Sequence, residues 1–507
     1  MLQPLRLLLT CALTCFAYHF SQQRPLNYDV CPILNFQLPG RVSFPGSHEF
    51  TDQTKSYWAT NQAELVASCR ITPQSSDDVQ KAMYLISSYN ATFAVKSGGH
   101  SIVANSSNVA NGVVIDLSLL NHVTVKPEAS VVDVGAGARW SDIYEKLDER
   151  TGQHLAGARV GSVGIGGFVL GGGLSVFAAT HGWACDQVAF FEVVLANGTL
   201  LEVNNTTHAE LFRALKGGGS NFGVVTRMGL RLLNVPGRID VWFVQYHWQQ
   251  LKSVLKAVAQ FTKEGVSKPA LSVSMSIGSM FDGSSPAVSV MLTHSENVLE
   301  SEEMVPFLKI PHTPRHGGRM SQLELAILYD EMNPRDYRQT RTTVTVMNDH
   351  ELLIAIAQNF VSEFVPPPRS IEDGAARGGL LIQPLTLSHL HTSDSTGGNI
   401  LGLSSEIEPL ILLSVEIRHS SAGNDTKLNA EAYKCMYEVN AYATRRQLDH
   451  DFRYLNYASS EQHPFRHVSA DPASHKVWQS VLDVKARYDP DNVFGRQIHD
   501  PFRIMEQ

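Results

Sequence analysis

Arg159-Val160-Gly161-Ser162-Val163-Gly164-Ile165-Gly166-Gly167-Phe168 runs directly into Val169-Leu170-Gly171-Gly172-Gly173-Leu174-Ser175. Two further glycine clusters flank this run. One is Lys96-Ser97-Gly98-Gly99-His100-Ser101, and the other is Gly217-Gly218-Gly219-Ser220-Asn221-Phe222-Gly223-Val224-Val225-Thr226. Glycine lets a backbone approach a ligand closely and adopt positive φ. Successive N–H groups in such loops form concave anion sites that suit a pyrophosphate. A single cluster is more often a tight turn. Three clusters, one after a strand and one running into a strand, point to a large phosphate-bearing cofactor.

The better-known ways of holding such a cofactor are missing. Gly164-Ile165-Gly166 opens a dinucleotide fingerprint, but Val169 takes the place of the third glycine, which close helix–strand packing needs. Gly135-Ala136-Gly137 fails in the same way at Trp140. There is no Gly-Lys-Ser/Thr phosphate loop and no Gly-X-Ser-X-Gly elbow. His350-Glu351 lacks the second histidine of a zinc helix, so no metal site is expected. The residues alone therefore lead to a cofactor site that is not of the Rossmann kind.

Periodicity around the clusters predicts alternating strands and helices in the N-terminal part, an α/β or α+β pattern. Ser76-Asp77-Asp78 can cap a helix whose apolar face is Val79, Met83 and Ile86. Thr92 to Val95, Val113 to Leu117 and Val131 to Val134 read as strands, and Trp140 to Leu147 as a helix. From about 237 to 450, Leu251, Val254, Leu255, Val258 and Phe261 mark one helix face. Leu271 to Ile277 and Ala287 to Leu292 look like strands. A last helix carries Val477, Val481, Val484 and Tyr488 and stops at Asp489-Pro490. Residues 22 to 62 read as irregular, broken by Pro25, Pro32, Pro39-Gly40 and Pro45-Gly46.

At 507 residues the chain exceeds a single core. Its composition, 43% hydrophobic and 18% charged, is that of an ordinary globular protein. The net charge of -8 speaks against nucleic acid, which is bound through basic surfaces. Arg6 followed by the apolar run Leu7 to Phe16, with Cys15-Phe16-Ala17 at the cleavage positions, reads as a secretory leader over residues 1–17. That run is too short to span a bilayer, and no membrane span is expected elsewhere. Sequons at Asn90, Asn105, Asn197, Asn204, Asn205 and Asn424 agree with secretion. Removal of the leader leaves Cys31, Cys69, Cys185 and Cys435, which permit two disulfides in three pairings. Cys31 with Cys69 is the preferred bridge, since it would pin the N-terminal arm to the first domain.

Ser97-Gly98-Gly99-His100-Ser101, the 161–175 run and Gly217 to Thr226 resemble the FAD domain of the vanillyl-alcohol oxidase superfamily. Tyr454-Leu455-Asn456-Tyr457 and Lys485 to Phe494 resemble the C-terminal module of its berberine-bridge-enzyme-like branch, fungal members above all. The resemblance implies an α+β fold: a two-part FAD-binding domain of the PCMH type, with an inserted substrate domain on a mixed or antiparallel sheet flanked by helices. It divides the mature chain into an arm (18–64), the FAD domain (65–236), the substrate domain (237–440) and a C-terminal module (441–507) that returns to the FAD domain. It implies a FAD contact surface made by Ser97, Gly98, Gly99, His100, Ser101, Val163, Gly164, Gly166, Gly167, Gly173, Gly223, Val225 and Asn456.

In that family the histidine of Ser-Gly-Gly-His is bonded to the methyl group on the flavin's benzenoid ring. Here it is His100, and a neutral imidazole is a competent nucleophile for the electrophilic methide tautomer of the flavin. Doubly bonded members carry a cysteine just before the Val-Gly-X-Gly-Gly stretch. Val160 stands there, so attachment is expected through His100 alone. Phe168 also replaces a histidine common in plant members. Double attachment accompanies open oligosaccharide sites in that family, so its absence weighs against one here.

Oxidation of an alcohol or amine needs a base while hydride passes to the flavin. The resemblance offers Tyr457, with Tyr454 second; packing of the flavin is the alternative for both. Val163 holds the position thought to gate oxygen, where valine goes with oxidases and leucine with dehydrogenases. The expectation is a monomeric, secreted oxidase for a small secondary metabolite, oxidative cyclisation included, with dioxygen as acceptor. A carbohydrate oxidase and a catalytically inactive flavin-binding protein are the alternatives.

Overall fold

The computed structural model describes residues 29–504 except 127, 129, 151–152, 236, 280–285, 297–300, 365–376, 392–395, 404–405 and 467–474. The leader expected at 1–17 lies outside the described residues. Among the described residues the architecture is α+β, with strands gathered into three sheets.

The first sheet runs in the order Val42–Ser43, Cys69–Ile71, Val113–Asp116, Phe93–Lys96, and its last three strands are parallel. Helix Ser76–Ser88 packs Val79, Ala82, Met83 and Ile86 into the core, at the three-to-four-residue spacing that one helical face requires. Its cap is Ser75, one residue before the cap read from the sequence, with the Asp78 N–H donating to its hydroxyl at 3.3 Å. The second sheet is antiparallel, in the order Val123–Lys126, Val131–Gly135, Val224–Arg231, Val188–Val194, Leu200–Asn204.

The N-terminal arm corrects the sequence reading. Cys31–Gln37 and His48–Lys55 are helices rather than irregular chain. Pro32 sits in the first turn of the former, where its missing N–H costs nothing. Ser47 caps the latter by accepting from the Phe50 N–H at 3.2 Å. Pro39-Gly40 and Pro45-Gly46 bound these helices instead of abolishing them. Val30, Leu34 and Leu38 are buried in the main core, and Cys31 is joined to Cys69 by a disulfide. Cys185 and Cys435 are buried thiols, so the second bridge that four cysteines permit does not form.

The third sheet has eight antiparallel strands, ordered His316–Met320, Ile239–Tyr246, Pro286–His294, Leu271–Ser279, Arg377–Leu385, Leu410–His419, Arg338–Met347, Asp449–His450. One face is closed by helices Leu251–Glu264, His350–Phe364 and Asp425–Arg445, which with Val344, Ile382 and Leu413 form a second apolar cluster. The opposite face sends Val241, Met291, Leu385 and Leu412 into the core shared with the first two sheets. Helix Asp425–Arg445 crosses residue 440, and the last strand of the sheet lies beyond it.

Candidate active site

Strand Phe93–Lys96 ends on a buried ion pair. Lys96 Nζ lies 3.0 Å from an Asp116 oxygen at the end of the neighbouring parallel strand. Burial lowers the lysine's pKa and Asp116 opposes that, so the pair fixes the point at which the chain leaves the sheet. Ser97 then donates to the Ala136 carbonyl at 2.6 Å and accepts from the Gly166 N–H at 3.2 Å. Ala136 in turn donates to the Thr226 carbonyl at 2.9 Å, so Ser97 and Ala136 together join all three glycine clusters.

Gly98 and Gly164 explain why the first two clusters are glycine. A Cβ on Gly164 would lie 2.1 Å from the Gly98 nitrogen, and one on Gly98 would lie 2.4 Å from the Gly164 nitrogen. The two backbones meet at a distance no side chain permits. Arg139 laces this contact, donating to the carbonyls of Gly98 at 2.8 Å, Ser162 at 2.5 Å and Ser56 at 3.2 Å. Gly167 has open space where a Cβ would stand. Val163 is partly buried beside Gly98, and its carbonyl accepts from the Trp140 N–H.

His100 is half-buried, and its imidazole is stacked on Trp58 with centroids 4.3 Å apart and planes 10° apart. Its Nε2 is enclosed and has no hydrogen-bond partner among the described residues. Burial, aided by Arg341, Arg139 and Arg335, pushes its pKa down to about 3, so the ring is neutral. Ser101 turns back into its own loop, within hydrogen-bond distance of Ser106 at 2.5 Å. Gly173 packs beside Phe168 and Ala184, Gly223 packs against Val193, and Val225 pairs with Val193 across the second sheet.

The two candidate tyrosines differ in setting. Tyr454 is fully buried, accepts from the Leu174 N–H at 2.8 Å and from Asn456 Nδ2 at 3.1 Å, and burial raises its pKa. Asn456 also donates to the Phe168 carbonyl at 3.0 Å, so both residues clamp the 161–175 run. Tyr457 is partly buried and accepts from Arg159 Nη2 at 3.2 Å. The Arg341 guanidinium lies over its ring, 4.6 Å from the centroid. Arg159 donates as well to Ser274 Oγ at 3.2 Å, and Arg341 pairs with Glu416 at 2.6 Å. Strand register puts Ser274, Gln383, Ser414, Glu416 and Arg341 on one face of the large sheet. Gln383 Oε1 and Ser414 Oγ there are buried without partners among the described residues.

Trp58, Arg139, Arg159 and Arg341 escaped the sequence reading. Arg159 borders the glycine run and was within reach of it. Trp58 lay in the arm taken as irregular. Arg341 sits in a strand whose alternation marks a polar face without saying what that face meets.

The donor set fits FAD. The glycine-lined backbone admits a phosphate-bearing group, and a neutral imidazole offers an unpartnered nitrogen. Among the described residues no group of histidine, cysteine or acidic side chains could hold a metal ion, and no helix is long and apolar enough to cross a membrane.

Residues 67–204 match the family described as FAD binding domain. The chain is 32% identical over 507 residues to the FAD-dependent monooxygenase tpcD of Cochliobolus heterostrophus, covering 94% of each protein. It is 33% identical over 466 residues to the FAD-dependent monooxygenase FUP4 of Fusarium proliferatum, covering 88% of this chain and 87% of that one. In fold it superposes on a berberine bridge enzyme variant with a TM-score of 0.74 at 17% identity, covering 94% of this chain and 100% of the other. It superposes equally, at 0.74 and 19% identity and with the same coverage, on the glucooligosaccharide oxidase of Acremonium strictum, described as carrying a 6-S-cysteinyl, 8α-N1-histidyl FAD. Glycine-lined loops and relatives matched along nearly their full length lead to one assignment: the chain belongs to the FAD-linked oxidoreductases that include these fungal FAD-dependent monooxygenases, and it shares its fold with berberine bridge enzyme.

Proposed function

We propose that this oxidoreductase takes hydride from a small organic substrate, a secondary-metabolite alcohol or amine, onto FAD held through His100 alone, with dioxygen as the final acceptor. The observation that carries this reading is the Tyr457 hydroxyl, held at 3.2 Å by the Arg159 guanidinium on the polar face of the large sheet. FAD, when bound, supplies the two-electron acceptor. Tyr457 takes the substrate's proton as general base. Arg159 donates to that same oxygen, which is negatively charged in the phenolate that acts as the base and neutral once it holds the proton, and Arg341 covers the ring. Tyr454 and Asn456 hold the loop that presents Tyr457, and Ser274, Gln383 and Ser414 offer hydrogen bonds that orient a polar substrate.

Single attachment is supported by Val160, which has no nucleophile where doubly bonded proteins need cysteine. The intact Tyr457–Arg159 pair weighs against an inactive flavin-binding protein. A carbohydrate oxidase is the alternative that the Acremonium strictum likeness brings to mind, while Val160, which cannot make a second flavin bond, weighs against an open sugar site. A second reading, insertion of an oxygen atom, is favoured by the monooxygenase names of the similar fungal proteins. Labelled dioxygen separates the two. Oxidation by hydride transfer predicts flavin bleaching by substrate alone without air, then one peroxide per product and no label in the product. A requirement for a separate reductant, with label in the product, would replace the oxidase reading by the monooxygenase one.

The same reading places the protein in the secretory pathway. The Cys31–Cys69 disulfide and the exposed sequons at Asn90, Asn197, Asn205 and Asn424 support this. Native protein should lose mass on treatment with an N-glycanase; unchanged mass counts against it.

A further inference from the structure

We propose that Trp58 positions His100 for its bond to FAD, so that the N-terminal arm builds the attachment site together with the glycine loop. This rests on the reading that His100 carries the bond. The imidazole lies on the indole with centroids 4.3 Å apart and planes within 10°. A ring nitrogen's lone pair lies in the imidazole plane. An indole covering the face therefore fixes the tilt of the ring and leaves the nucleophilic edge free.

The indole is itself immobilised. Trp58 donates its backbone N–H to the Gly99 carbonyl at 3.0 Å and its Nε1–H to the Asn333 carbonyl at 3.1 Å. Its own carbonyl accepts from the Asp336 N–H at 3.2 Å. Gly99, at φ +69°, turns the chain so that His100 falls onto the ring. Trp58 is 7% exposed, so replacing it opens a buried space beside the imidazole and restores rotation about its side-chain torsions.

The reaction that depends on this orientation joins an imidazole nitrogen to the methyl carbon of the flavin's benzenoid ring. The methyl group loses one C–H proton and the imidazole its N–H proton. The electron pair of the broken C–H bond passes into the flavin. Dioxygen then takes that pair with two protons as hydrogen peroxide. Nucleophile and methyl carbon must lie in line, and misplacement by about 1 Å is costly in rate. Trp58 supplies that alignment through the face of the ring and takes no part in making or breaking the bonds.

The test uses the full-length protein freed of flavin by expression under riboflavin limitation, then mixed with FAD. The readout is the rate at which flavin becomes resistant to acid precipitation, beside total FAD bound before acid. Trp58→Phe keeps a ring face; Trp58→Leu keeps bulk without one. The proposal expects Trp58→Phe to retain most of the wild-type rate and Trp58→Leu to fall by about tenfold or more, with reversible FAD binding kept in both. Equal rates in wild type and Trp58→Leu would overturn it, as would equal losses in both variants, which would mark a role in packing alone. Wild-type protein that never acquires acid-stable flavin would instead remove the reading of His100 on which the proposal rests.

Discussion

Tyr454 and Tyr457 stand three residues apart in one motif, and the fold gives them different work. Tyr454 is sealed in the core, where its oxygen satisfies the Leu174 N–H and burial holds the phenol protonated. Tyr457 reaches Arg159 and Arg341, neither of which neighbours it in sequence. The motif made both candidates legible; only burial distinguishes them. Tyr457→Phe removes one hydroxyl, so FAD content should stay at the wild-type level while flavin reduction by substrate falls by roughly 10² to 10⁴-fold. Tyr454→Phe should leave the Leu174 N–H unpaired and cost about 1–3 kcal/mol of stability, with a smaller effect on flavin reduction. The measurements are anaerobic stopped-flow reduction and urea unfolding. Unaltered reduction in Tyr457→Phe would move the base elsewhere.

At the scale of elements, the meeting of Gly98 with Gly164 ties the strand-to-loop exit at Lys96 to the long glycine run. Gly164→Ala would force a Cβ to 2.1 Å from backbone and should cost about 1–3 kcal/mol or more, with flavin lost alongside. Gly167→Ala meets no atom within 4 Å of the protein itself. It should fold with stability within about 0.5 kcal/mol of wild type, yet hold FAD less well if the open space there is the cofactor's. Urea unfolding of flavin-free protein and flavin titration check both; equal behaviour of the two variants would deny the contact its place. The strands and helices around these loops were readable because their apolar spacing is strict, as in Ser76–Ser88 and Leu251–Glu264. The arm was not. Proline and glycine mark helix boundaries as readily as loops, and only burial of Leu34 and Leu38 shows which applies.

At the scale of the whole molecule, the site exists because three distant stretches converge. Arg159 from the glycine run touches Ser274 of the large sheet and Tyr457 of the C-terminal module. Arg338 ties Glu64 of the arm to Asp425 at 2.5 Å each. The cofactor side of this arrangement was legible because glycine and histidine sit in contiguous motifs. The substrate side was not, because Ser274, Gln383, Ser414 and Arg341 come from separate strands whose pairing no local pattern states. Attachment of the cofactor turns on His100, and one measurement reaches it directly: mass analysis of the proteolytic peptide that contains it. The expected result is one FAD on the peptide bearing His100 and none on the peptide bearing Val160. An unmodified His100 peptide from protein that holds a full complement of FAD would contradict the account.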